Sequence, residues 1–486
     1  MRLAKLLAII SAAVASPHGN PLGHVQSLVV GTTSGEVAGW INQTNPNVRQ
    51  FLGIPYAEPP LGSLRFLPPI PKAGKGPIGA KAFQPSCIQQ TSTSPSVYTE
   101  ILREFLISGT DSEDCLYLNV YAPLKPTSDK VPVFLYLPGG GFTSGGANSV
   151  YKFPDFWVEK EQSFIVITIN YRVNLFGFPS AHAQPLNVGF LDQRLAVEWA
   201  RDNIAAFGGD PSRITLWGQS AGASSVGAYS YAHYKDPIVA GLIADSGGAS
   251  PATPDANHTS FNKLAGYVGC GGLDAHSQLT CVQKVDARTL QTLVSTNSSF
   301  SFRPVADNLT AFANITDRAA KGLLAKIPLI TGSNSNEGAG FITWNGSYTP
   351  TAQQLASAGT RITCPIVNEV ANRVKHGYTT YRYEYFGNFS NISPLPWIGA
   401  SHSSELPLLF GTHWEYRGNS TPFEWEVSAG MQSLWESFVT DSSKDPSGSG
   451  VRWPKHVLGQ NTMIEFASNN TVFQFGSVGS VDYLCE

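Results

Sequence analysis

The sequence predicts an α/β chain built on one large, mostly parallel sheet with helices on both faces. Three observations carry this expectation. The runs "VPVFLYLP" (131–138) and "SFIVITINYR" (163–172) are almost wholly apolar, as strands covered on both sides must be. Segments of helical period alternate with such runs along the chain. Several strand-like runs also end in loops rich in Gly, Asn or Ser, so that strand and helix follow one another as in parallel sheets.

The first residues are of another kind. Arg2 and Lys5 precede an apolar run from Leu6 to Ala15, and Ala13-Val14-Ala15 is an A-x-A cleavage signal. A run of about ten residues is too short to span a bilayer and reads as a secretory signal peptide, residues 1–15, cut near Ala15/Ser16. The remainder, 16–486, is expected to be a single catalytic domain. No later run is apolar enough to cross a membrane. The chain has 486 residues, 42% hydrophobic and 14% charged, with net charge −3. That excludes the basic footprint of a nucleic-acid binder.

The extracellular expectation has two further supports. N-x-S/T acceptors stand at Asn42, Asn257, Asn297, Asn308, Asn314, Asn345, Asn388, Asn391, Asn419 and Asn469. Six cysteines, Cys87, Cys115, Cys270, Cys281, Cys364 and Cys485, fit no zinc spacing and read as disulfides, of which fifteen pairings are conceivable.

Along the chain, "SLVVGTTSGEVAGWI" (27–41) reads as an edge hairpin. "LDQRLAVEWARDNIAAFGG" (191–209) is a helix that turns Leu191, Leu195, Val197, Trp199 and Ile204 inward and stops at its two glycines. "RITLWG" is the next strand, and "AGASSVGAY" a small-residue helix after it. "VAGLIADSGG", "KIPLITGSN" and "TTYRYEYF" continue the strands. "EVSAGMQSLWESFV" is a late amphipathic helix.

Gly218-Gln219-Ser220-Ala221-Gly222 is a G-x-S-x-G pattern between strand and helix. Chance supplies the bare pattern in about every second chain of this composition; the strand before it and the helix after it make it a nucleophile elbow. A serine nucleophile needs a base and an acid, in the order serine, acid, histidine. His402 stands in a Gly/Pro/Ser loop beyond "TTYRYEYF". His413 is its closest rival, ahead of His376 and His456. The acid is Glu337, in the loop that ends "KIPLITGSN"; helix capping is its competing role. "YLPGGGF" supplies glycines whose N–H groups can converge on an oxyanion. It matches neither G-x-x-x-x-G-K-[ST] nor G-x-G-x-x-G, which excludes a nucleotide loop.

Taken together, "FLGIPYAEPPLGSLRF", "SEDCLYLNVYAP", "PGGGF", "NYRVNLFGF", "NVGFLDQRLAVEW", "GQSAGA", "SNSNEGAGF" and "GASHSSELP" resemble the type-B carboxylesterase/lipase family in content and order, across most of the mature chain. The resemblance implies the α/β-hydrolase fold and a serine carboxylic-ester hydrolase working through an acyl-enzyme, with no cofactor and no metal. It implies catalytic Ser220, Glu337 and His402, and an oxyanion hole at Gly140, Gly141 and Ala221. It implies disulfides Cys87–Cys115 and Cys270–Cys281, leaving Cys364–Cys485, and ion pairs Arg65–Glu113 and Arg172–Asp192. It also matches Ser246 to a serine that supports the acid. The partner expected is a small-molecule or lipid ester.

Two departures from the family matter. Pro138 replaces a common His, at a position that donates nothing to the oxyanion. Gln219 replaces a common Glu, and the 87–115 loop contains no Trp for a cationic substrate. The expectation is therefore a neutral, apolar ester rather than a choline ester. Within 87–115, Val97, Ile101, Leu102, Phe105 and Leu106 share one helical face, either a lid of a triacylglycerol or sterol-ester lipase or an ordinary packed helix. The same fold also serves as a catalytically inactive adhesion or ligand-binding module, but such modules usually lack a triad member that is present here.

Overall fold

A computed structural model of the chain describes residues 27–91, 94–182 and 185–485. The signal segment and its cleavage site lie outside the described residues. An 11-stranded sheet runs through the molecule. In chain order its strands are β1 (Trp40–Ile41), β2 (Val48–Pro55), β3 (Tyr117–Pro123), β4 (Val131–Leu137), β5 (Ile165–Ile169), β6 (Gly209–Gln219), β7 (Gly241–Asp245), β8 (Leu329–Asn334), β9 (Thr380–Tyr385), β10 (Met463–Phe466) and β11 (Phe473–Gly476). In space they run β11-β10-β9-β8-β7-β6-β4-β5-β3-β2-β1. The pairs from β5 through β4, β6, β7, β8 and β9 to β10 are parallel, and both edges are antiparallel.

The apolar runs are apolar because both faces are covered. Along β4, Phe134 and Tyr136 enter one core with Trp157, Trp217, Phe410 and Trp435, while Val133, Leu135 and Leu137 enter the other. Helices α1 (Val188–Asn203) and α2 (Ala221–Ala232) cover the second face through Val197, Trp199, Ala223 and Val226. Helix α3 (Ala352–Lys375), which crosses from β8 to β9 in the same sense as α2 crosses from β6 to β7, lies on the face of α2, where Glu369 accepts from the Ala249 N–H. Helix α4 (Pro422–Thr440) covers the first face through Val427, Met431, Leu434 and Phe438. No helix among the described residues is long and apolar enough to cross a membrane.

Register brings the strand ends together. Gly218 pairs with Leu137, Gln219 with Asp245, Asp245 with Gly332, and Asn334 with Tyr385. The loops that leave β4, β6, β8 and β9 therefore start from one edge of the sheet.

Several local expectations change. Val29–Thr32 and Gly35–Ala38 do form a hairpin, but it joins Pro77–Gly79 in a small separate sheet, and only Trp40–Ile41 reaches the large one. α1 starts three residues earlier than its apolar pattern suggests. It buries Asp192 and Gln193 and leaves Leu191 and Leu195 only half-buried, because Asp192 pairs with Arg172. Helix α3 carries Pro365 inside, which hid it from a reading that ends helices at proline; Thr351 and Gln354 cap its start reciprocally.

The three disulfides pair Cys87 with Cys115, Cys270 with Cys281 and Cys364 with Cys485. Both ion pairs form bidentately. Arg65 Nε and Nη2 lie 2.5 and 2.7 Å from Glu113, and Arg172 Nε and Nη2 lie 2.8 and 2.6 Å from Asp192. One glycosylation candidate is excluded. Asn391 is buried, and its amide nitrogen donates to His413 O at 2.7 Å and to Glu424 at 3.1 Å, so no glycan can be joined there. The other nine acceptors are exposed or half-buried.

Asp245, at the end of β7, is fully buried. It accepts from Trp217 Nε1 and, at 2.9 Å, from Tyr383 OH. Burial pushes its carboxyl up to about 7, only partly offset by those two donors. The folded state thus holds this proton more tightly than the unfolded chain, whose value is 3.8. Its contribution to stability is complete below the unfolded value and is lost as pH rises to about 7. Asp245→Asn removes the charge; its Oδ1 can accept from Trp217 Nε1 while its Nδ2–H donates to Tyr383 OH, reversing that bond. In urea unfolding it should match the parent near pH 4 and exceed it at pH 8, by on the order of 2–4 kcal/mol. Equal parent and variant stability at pH 8 would refute this.

Candidate active site

β6 ends at Gln219, and Ser220 adopts φ 59°, ψ −122° before α2 begins at Ala221. A non-glycine residue holds this conformation only under strain of about 1–3 kcal/mol. Two things hold it here. The Ser220 N–H donates to Asp245 O at 2.9 Å. The neighbours are glycines because nothing larger fits: a Cβ on Gly218 would collide with the carbonyl of Gly222, and one on Gly222 with that of Leu137.

The glycine loop after β4 lies against this turn. A Cβ on Gly139 would stand 2.6 Å from Gln219 O and 2.8 Å from Ser220 Cβ. Gly140 and Gly141 have φ of 134° and 63°. The N–H groups of Gly140, Gly141 and Ala221 donate to no acceptor among the described residues. All three belong to segments that adjoin Ser220, and Ala221 opens a helix, whose N-terminus favours negative charge.

Glu337 sits on a short turn after β8, and His402 in the loop after β9. Both are almost fully buried. Glu337 Oε1 accepts from the Asn334 N–H at 2.7 Å, and Oε2 lies 2.5 Å from His402 Nδ1. Asn336 N–H donates to Ala400 O at 2.9 Å, and Asn334 Nδ2 donates to Ser401 O at 2.7 Å, which join the two loops. The other histidines are placed elsewhere. His413 is buried against Ser420 and Glu424, His456 bonds to Thr462, and burial lowers the latter to about 4. His376 caps the end of α3, on the opposite side of the sheet from the strand C-termini.

A neutral imidazole whose Nδ1–H is given to Glu337 presents Nε2 as an acceptor. The Gln219 amide occupies that position, its Nε2 lying 3.2 Å from His402 Nε2, while Ser220 Oγ makes no hydrogen bond among the described residues. Ser246 does not support the acid: its hydroxyl is buried without a hydrogen bond, and the Asn334 backbone takes the role instead.

Residues that the sequence did not single out complete the surroundings. Tyr98 OH donates to His402 O at 2.6 Å, and the Phe341 ring lies 4.7 Å from the imidazole. Tyr98 belongs to the Cys87–Cys115 loop. Its segment is one helical turn, Val97–Glu100, then a 3-10 turn, Arg103–Phe105, rather than a continuous helix, because Ile101 breaks the backbone at φ −137°. Val97, Leu102 and Phe105 are buried in the core and only Leu106 is well exposed. The Ser96–Thr99 capping box marked the turn in sequence; nothing marked Tyr98 as a partner of His402. Among the described residues no group of three His, Cys, Asp or Glu side chains could hold a metal ion.

The geometry is that of an α/β hydrolase with a serine, histidine and glutamate at one sheet edge. The carboxylesterase family model matches residues 26–359 and 345–478, so the chain belongs to that family. It is 51% identical to a chlorogenic acid esterase of Aspergillus niger, over 95% of this chain and 94% of that one. It is 38% identical to secreted lipase 5 of Gibberella zeae, over 92% of each chain. It is 29% identical to the acetylcholinesterase of Bungarus fasciatus, over 91% of this chain and 83% of that enzyme. The protein is a carboxylic-ester hydrolase.

The glycine contact yields a test. Gly139→Ala forces Gln219 and Ser220 away from the loop. A displacement near 1 Å costs about 100-fold in kcat. The variant should lose about that much while retaining its thermal midpoint within a few degrees. Unchanged kcat would show that the contact does not position the serine.

Proposed function

We propose that Ser220 attacks the ester carbonyl while His402, oriented by Glu337, takes its proton. The N–H groups of Gly140, Gly141 and Ala221 hold the oxyanion. The alcohol leaves, and water activated by His402 releases the acid. For that, the His402 Nε2 must exchange the Gln219 amide for the Ser220 hydroxyl as substrate enters. The single observation that supports this reading best is the buried His402–Glu337 contact of 2.5 Å beside a serine held at φ 59°. Secretion and glycosylation at the accessible acceptors are part of the proposal.

For the part of the substrate that meets Gln219 we propose a neutral, apolar group. Gln219 carries no charge where cholinesterases have Glu, so the floor of the site gives a cationic ester no attraction. The chlorogenic acid esterase among the relatives makes chlorogenic acid the first natural ester to try. Interfacial lipase action is less favoured, since the apolar residues of 87–115 are spent on the core.

Ser220→Ala should reduce hydrolysis of 4-nitrophenyl butanoate at least about 10⁴-fold and abolish covalent labelling by an organophosphate, read by mass spectrometry. Retained activity would end the mechanism. Gln219→Glu should raise the ratio of butyrylcholine to an uncharged ester of equal size by about fivefold, as expected for one charge in a partly screened site. An unchanged ratio would remove the electrostatic role of Gln219 and leave that of Ser220 intact.

A further inference from the structure

Two arginines flank the proposed site, and neither has a carboxylate partner among the described residues. Arg303 donates from Nη1 to Gly141 O at 3.0 Å, on the glycine loop itself. Arg361, on the outer side of α3, lays its guanidinium 5.1 Å from the centre of the Phe341 ring, whose other contact is His402 at 4.7 Å. One cation thus borders the oxyanion loop and the other reaches the base only through the Phe341 ring, and both side chains reach solvent. The remaining donors of Arg303 and all those of Arg361 make no hydrogen bond among the described residues.

Burial, and after it the charge of nearby Arg361, lower the Arg303 guanidinium below its usual value. Arg65, Arg172, Arg382 and Arg417 pair with carboxylates, whereas Arg49, Arg103, Arg318 and Arg373, like Arg303, donate to main-chain carbonyls. A planar guanidinium with free N–H groups matches a carboxylate. The uncharged Gln219 leaves the floor without repulsion for an anion.

We propose that Arg303 and Arg361 form an anion subsite at the rim, which binds a free carboxylate carried by the ester substrate. The proposal rests on the ester-hydrolase reading and deepens it: the atoms that reach Ser220 are uncharged, and the acid group, on whichever side of the ester, lies at the rim. Arg303 has a competing role as a brace of the glycine loop. A brace affects every ester alike, whereas a subsite affects only the anionic ones.

The test uses matched pairs on the full-length protein. One pair is 3-butanoyloxybenzoate and its methyl ester, which differ by a carboxylate on the alcohol side. The other is the 4-nitrophenyl monoester of glutaric acid and 4-nitrophenyl pentanoate, which differ by a carboxylate on the acyl side. The parent should favour the anionic member of at least one pair in kcat/KM, and the responding pair identifies the side. That preference should shrink between about 20 and 500 mM salt. Arg361→Gln, which removes no hydrogen bond, should raise KM for that anionic ester about five- to tenfold and leave kcat and the neutral ester unchanged. Arg303→Gln together with Arg361→Gln should abolish the preference. If neutral esters are hydrolysed normally but neither pair shows a preference, or the variants affect both members equally, the subsite is refuted and the hydrolase reading stands. If the parent hydrolyses no ester and Ser220 resists organophosphate, that reading fails and the subsite with it.

Discussion

The backbone of Gly139 lies against Gln219 and Ser220 with no room for a methyl group, and the rest of the site is arranged around that contact. It exists because β4 and β6 are parallel neighbours in a register that places Gly218 beside Leu137. The two strands end together, and their loops have to pass at backbone distance. Glycine permits this at Gly139, and again at Gly222, where a Cβ would meet Leu137 O. Once it is made, the N–H groups of the glycine loop and of the first turn of α2 adjoin the serine without any side chain to carry them. A parallel sheet supplies the remainder. β8 and β9 end at the same edge, so an acid and a base can stand beside the serine although 117 and 182 positions separate them from it in the chain.

The imidazole is held from several directions. Glu337 binds Nδ1, Gln219 approaches Nε2, Tyr98 binds the carbonyl, and Phe341 lies against the ring. Behind them is a buried group of carboxyls, Asp245 and Glu405, whose burial favours the neutral form. Glu405 accepts from Asn334, the residue whose N–H also serves Glu337. Burial that disfavours the charged form of this pair reduces its competition with Glu337 for the proton-bearing imidazole of the proposed mechanism. The electrostatic stabilisation of the imidazolium is thereby left to the carboxylate that also orients the ring.

The sheet and the proposed triad were legible in the sequence because they depend on local signals. Doubly covered strands must be apolar throughout, an elbow must have glycine on both sides of its serine, and a loop after a strand is where an α/β sheet presents side chains. The disulfides and ion pairs were legible only through resemblance; no local rule pairs Cys364 with Cys485 across 121 residues. What was not legible depends on three-dimensional proximity. The Gln219 letter was visible as a missing charge, but its hydrogen bond to His402 was not. Val97 and Leu102 were visible as an apolar face, but the core they enter comes from distant segments. Pro365 obscured α3, and with it Arg361 passed unnoticed.

The charge around the site therefore has a direction that no single residue shows. At the floor, substitution of a neutral amide for an acid removes attraction for cations. At the rim, two arginines add attraction for anions, one fixed to the glycine loop and one set against the aromatic that packs on the base. Removing the acid alone would only make the site indifferent to charge. Adding cations above an acidic floor would set the two ends of a substrate against each other. Together they define a gradient with its positive end toward solvent, and a substrate with an uncharged reacting end and an acidic distal end would be drawn in and oriented by that field.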